Sequence, residues 1–151
     1  MVEIMVVVSI IGLLLVLAIP SFMNSRRNVQ DRAFVNDLRV LAQSVFGQCA
    51  LNNSDYPADA APGVQPDGIA DYMPKRMVWN AGPRIGGQWD WDRAPTRGGQ
   101  VDGCCYACIG VVGPSRTQAQ MREIDAAFDD GDLSSGNFRK TGDKYIYIVE
   151  F

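Results

Sequence analysis

The sequence predicts an α+β protein in which the second half of one long N-terminal helix packs against a small antiparallel sheet. Three observations lead there. Ile4 to Met23 contains no charged residue, and at ~1.5 Å per residue a helix of that length crosses the ~30 Å hydrocarbon layer of a bilayer. Phe34, Leu38, Leu41, Val45 and Cys49 then recur at the spacing of one helix face. Past Asn52 come short β-prone runs broken by Gly and Pro, so helix and sheet are segregated along the chain rather than alternating.

The apolar run and the amphipathic run read as one rod, extending to about Leu51. Pro20 is the expected local fault, because proline removes a backbone N–H and crowds the preceding turn. Glu3 stands just before the run. A charge toward a bilayer centre costs roughly 3 kcal/mol or more, so an acid at this border calls for a function. The basic start and small-residue cleavage site of a secretory signal are not found here, and the segment reads as retained. The chain thus divides into a transmembrane segment, residues 1–23, and a head, residues 24–151, that includes the amphipathic half of the rod, residues 24–51.

In the head, 52–67 is a loop, and a short helical turn is expected between Gly68 and Met73 before Pro74. Gln88–Arg93, QWDWDR, is the first strand, with Trp89 and Trp91 on one face and Asp90 and Asp92 on the other. The aspartate face reads as solvated, with a bound cation as the alternative. Arg97-Gly98-Gly99 marks a turn, and Cys104 to Val112 is a second strand. Alternation places Cys105, Ala107, Ile109 and Val111 on one side, and Cys104, Tyr106, Cys108 and Val112 on the other. Ser115 with Gln118 has capping-box spacing, opening a helix with Met121, Ile124 and Phe128 on its apolar side that stops at Asp129-Asp130-Gly131. A polar stretch then leads to a last strand, Tyr145 to Phe151.

Composition narrows the chemistry. The formal charge of −3 offers no field for a phosphate backbone, so nucleic acid is not an expected partner. There is no histidine, which removes the commonest general base, and no catalytic pattern is recognised; the chain is not expected to be an enzyme. Cys49, Cys104, Cys105 and Cys108 are an even set that favours two disulfides in an oxidising compartment, with three connectivities open. Cys49 lies on the stripe that faces the sheet, and a bond to one of the strand cysteines is expected. Cys105-Tyr106-Ala107-Cys108 has no following histidine for haem attachment, and zinc would need all four cysteines. Asp129, Asp130 and Asp132, with Asp125 nearby, are candidate calcium ligands against the plainer reading of a solvated turn; no other cofactor is expected. Tyr72, Trp79, Trp89 and Trp91 suit a small core better than a binding platform.

The segment VEIMVVVSIIGLLLVLAIPSF, an acid, a Val/Ile-rich run, a glycine part-way and then Ala-Ile-Pro, resembles the N-terminus of type IV pilins and of type II secretion pseudopilins. The rest of the chain matches that family only in plan. The resemblance implies a pilin-like fold and a structural subunit that polymerises through its N-terminal helix. It places Glu3 at the family's glutamate, Gly12 at its mid-helix glycine and Pro20 at its helix-kinking proline. Glu3 would pair with a neighbouring subunit's N-terminal amine. Partners implied are copies of the chain in a helical filament, the inner-membrane assembly machinery and a prepilin peptidase. The chain would rest as a single-pass inner-membrane protein before assembly and stand in a periplasmic or extracellular filament afterwards. Only Met1 and Val2 precede Glu3, so the resemblance also implies a basic leader upstream, which would offset Arg26 and Arg27 in setting orientation. A calcium in the late acidic turn gains support from the major pseudopilins by analogy. The alternative reading is a tethered minor pilin or adhesin whose head binds a ligand.

Overall fold

Val2–Val40 forms α1 in a computed structural model that describes residues 2–151, the side chain of Leu17 excepted. The helix runs unbroken through Pro20. Proline costs one backbone hydrogen bond, and in a helix of 39 residues that loss does not end it. A departure from α-helical winding falls at Leu41–Phe46, a π-helical segment closed by a bond from the Gly47 N–H to the Ala42 carbonyl. α2, Gly47–Asn53, completes the rod, and Ser54 ends it in a left-handed conformation. The wider winding turns two adjacent pairs, Leu41 with Ala42 and Val45 with Phe46, into the core. A strict stripe of Leu41, Val45 and Cys49 would have left Phe46 out. Phe46 instead stacks on Trp91 with ring centroids 3.7 Å apart and planes 8° apart.

Four antiparallel strands form the sheet in the order β1-β2-β4-β3. β1 is Gln88–Arg93, the strand expected from its alternation, and β2 is Ala107–Val112, three residues shorter at its start than expected. β4, Lys144–Glu150, is the expected last strand. β3, Phe138–Thr141, lies in the stretch read only as polar. It forms a hairpin with β4 through Gly142-Asp143, where Gly142 takes the positive φ of 60° that a Gly-first two-residue turn requires. Between β2 and β3 lies α3, Gln118–Ala126. Its cap is Thr117 rather than Ser115: Thr117 accepts from the Gln120 N–H while the Gln120 side chain returns to the Thr117 N–H. The Ser115 amide is engaged elsewhere, bonded to the Ile85 carbonyl.

The core lies between the second half of the rod and one face of the sheet. Phe34, Leu38 and Val45 of the rod meet Trp89, Trp91, Ile109 and Phe138, all buried, with Met121 and Ile124 of α3 closing one side. Phe34 stacks on Trp89 at 5.7 Å. Trp79, Trp89 and Trp91 are no more than 1% exposed, so they fill the core and present no aromatic platform. Architecture and class are therefore as predicted: a long helix on a small antiparallel sheet.

Candidate functional site

The first half of α1 carries an apolar surface that the chain itself leaves uncovered. Among the described residues, the large apolar side chains from Val2 to Met23 are each at least 51% exposed, including Val6, Ile10, Leu14 and Phe22. By length and composition this helix can cross a membrane. Glu3 lies exposed in its first turn, where a carboxylate suits the positive end of the helix dipole. Among the described residues nothing outside the helix's own turns comes within 4 Å of a Cβ added at Gly12, so no contact described within the chain demands a glycine there. Glu3, Gly12 and Pro20 share this helix and are all exposed.

On the sheet face turned away from the helix, the structure corrects the expectation of a solvated aspartate face. A cation does lie between the carboxylates, and it belongs to the chain: the Lys144 ammonium is 2.6 Å from Asp92, 2.8 Å from Asp102 and 3.3 Å from Asp90. Asp90 sits opposite Gly110, where a Cβ would come 3.2 Å from the Asp90 Cβ, so the glycine gives that side chain its room. The third acid arrives because the β1–β2 connection, residues 94–106, folds back over the sheet through a tight Asp102-Gly103 turn. Both residues have positive φ, 51° and 69°, and the Cys104 N–H bonds to the Val101 carbonyl at 3.2 Å. Burial, and then the charge of Asp92, push the Asp90 carboxyl up to about 6 against the pull of Lys144. Burial opposes the charge on Lys144, but its hydrogen bonds to Asp102 and Asp92 outweigh that and hold it above its ordinary range.

The same connection brings three cysteines together. Cys105 and Cys108 are fully buried beside Ile146 and Ile148, with half-buried Cys104 and Val101 packed on them. Strict alternation would have put Cys105 opposite Cys108. Cys105 instead precedes β2, whose pairing with β4 is irregular between Ala107 and Cys108, and Tyr106 takes the helix-facing side. All four cysteines are thiols. The expected bond from Cys49 is not formed and its geometry is wrong, because Cys49 is buried on the helix side of the sheet, its Sγ 3.8 Å from the Gly68 carbonyl. A hydrogen bond from Cys108 lowers the Cys105 thiol below its ordinary range and raises Cys108 well above it. Partial burial and the adjacent Cys105 push Cys104 up to about 11. Donor atoms of Asp92, Asp102 and Cys108 lie within 4.8 Å of one another, but the Lys144 ammonium already bridges both carboxylates.

The acidic turn after α3 gathers a different set from the one expected. A carboxylate oxygen from each of Asp125, Asp129 and Asp130 lies within 4.8 Å of the others. Asp132 is turned to local use, accepting from the Ser134 N–H at 3.0 Å and its hydroxyl at 2.7 Å. Asp129 accepts from the Asn137 and Phe138 amides, a close approach for which Gly136 leaves room. Asp125 is fully buried, and neither of its carboxylate oxygens has a hydrogen-bond partner. Burial, then the charges of Asp130 and Asp129, push its carboxyl up to about 6; the Gly131 amide eases this without reaching hydrogen-bonding geometry. An orphaned buried carboxylate beside two more acids fits a hard, oxygen-preferring cation such as calcium. The spacing of Asp125 four and five residues before Asp129 and Asp130 was the signal for its place here.

The chain matches no family model, no curated protein and no solved structure.

Proposed function

We propose that the chain is a structural subunit of a type IV pilus-like or type II secretion pseudopilus filament. The observation that carries this is the half-exposed apolar surface from Val2 to Met23, continuous with the helix that forms the spine of the head. A surface apolar on all sides calls for apolar surroundings on all sides. Lipid supplies them to a stored subunit, and the same helices of neighbouring copies supply them in a filament. Gly12 supports the second environment: a glycine that no contact described within the chain requires suits the close approach of a second helix. Glu3 gives the assembly its register, since a carboxylate drawn among apolar helices is costly unless a neighbour's amine meets it.

The test removes the carboxylate and keeps the shape. Cells producing Glu3→Gln should yield few or no filaments by electron microscopy of sheared surface material, while the membrane level of the subunit stays as in wild type. Filaments at wild-type abundance would show that Glu3 has no part in assembly.

The same reading includes a structural calcium held by Asp125, Asp129 and Asp130, favoured by the two unpartnered oxygens of Asp125. Calcium at a hundredfold excess over its dissociation constant would stabilise the head by ~2.7 kcal/mol. Thermal melts that ignore both calcium and chelator would exclude it.

A further inference from the structure

Cys104, Cys105 and Cys108 form a thiol cluster that the apolar rod and the acidic turn leave without a role. We propose that Cys105 and Cys108 are a disulfide-forming pair, loaded through Cys104, that fastens the β1–β2 connection to the back of the sheet while Cys49 stays a thiol. Three observations support it, and none depends on the chain being a filament subunit. Cys105 and Cys108 pack in one small buried cluster, closed off from solvent among Ile146, Ile148 and Val101. Cys104 is the half-exposed member, its sulfur 3.8 Å from that of Cys105. Cys49 is on the opposite face of the sheet and cannot compete.

The chemistry balances as two thiols exchanged for one disulfide, with a disulfide-bearing oxidant such as oxidised glutathione supplying the oxidising equivalents. The Cys104 thiolate attacks the oxidant, forming a mixed disulfide and releasing one thiolate. Cys105 attacks the Cys104 sulfur and releases the second. Cys108 then attacks Cys105, giving Cys105–Cys108 and returning Cys104 as a thiolate. The two protons lost by Cys105 and Cys108 end on the two thiols released from the oxidant. A bond between adjacent cysteines is strained, so the last transfer runs toward Cys108. The finished bond ties the segment that carries Asp102 to β2, next to the Lys144 ammonium that Asp102 holds.

The experiment uses the full chain in detergent, incubated with oxidised glutathione, blocked with N-ethylmaleimide and digested with trypsin without reduction. Cys104, Cys105 and Cys108 share one tryptic peptide, which ends at Arg116, so the expected result is that this peptide loses two hydrogens in mass and takes up a single maleimide, with Cys49 fully labelled. Cys105→Ala and Cys108→Ala should each abolish the internal bond. Cys104→Ser should keep it and slow its formation at least tenfold. A cross-link between the Cys49 peptide and this one, four labelled thiols after prolonged oxidation, or thiols protected by bound zinc would each overturn the proposal. Loss of the bond in Cys104→Ser with its retention in Cys105→Ala would overturn the pairing.

Discussion

Val6 and Leu14 in the first half of the rod are 52% and 60% exposed, whereas Leu38 and Leu41 in the second half are 1% and 0% exposed. The same kind of side chain on one helix meets two fates, and pattern rather than hydrophobicity separates them. The first half is apolar on every side, so no one face is singled out for the sheet. The second half interleaves Asp37, Arg39 and Gln43 with its apolar stripe, which fixes one face for packing. The head therefore draws its stability from the second half, and the first half is available to surroundings outside the chain.

The strongest challenge to that division is Phe46→Ala. Removing a ring stacked on Trp91 should cost the head about 4 kcal/mol, read from urea unfolding of the full chain in detergent by tryptophan fluorescence. The matching change in the first half, Leu14→Ala, should move the same transition by less than about 0.5 kcal/mol. Equal losses would erase the distinction between the halves. Next in size is Lys144→Met, which leaves Asp90, Asp92 and Asp102 facing one another without their cation and should cost about 3 kcal/mol. That outcome would show that the back of the sheet contributes to the fold alongside the helix-facing core. Thr117→Ala, which opens the capping box of α3, should cost about 1 kcal/mol.

A pH series tests the buried acids. Asp90 and Asp125 keep their protons to about pH 6 in the fold, against an ordinary carboxylate value of 3.8 in the unfolded chain. Between those values the folded state binds more protons, so these two groups lower stability as pH rises from about 4 to 6, and their effect is constant above that window. The double variant Asp90→Asn with Asp125→Asn should lack this decline relative to wild type. Matching pH profiles for the two proteins would mean that neither acid is perturbed.

Reading the sequence worked where one period governs a segment. The helical stripe from Phe34 to Cys49 and the alternation in QWDWDR both placed their residues on the face where they are found. It failed where the period changes inside an element. The π-helical turn brought in Phe46, which the stripe had passed over, and the irregular start of β2 moved Cys105 beside Cys108. β3 was hidden because Arg139, Lys140 and Thr141 look like loop residues, although Gly142-Asp143 was a hairpin signal. The Lys144 network was not legible at all, since its three acids and one cation come from three separate parts of the sequence.

Two small features near the sheet acquire a joint meaning if this chain polymerises. The outermost strands, β1 and β3, are where a sheet could recruit strands from other molecules. On β1 those positions are occupied: the Ala60 amide bonds to the Trp91 carbonyl, and the Gly63 amide to the Trp89 carbonyl. On β3, Asp129 takes the Phe138 amide and the Leu133 carbonyl takes that of Lys140. Heads crowded side by side along a fibre would thus have their rims sealed against strand exchange. Growth would be left to the helices, and a fibre built that way avoids turning into amyloid.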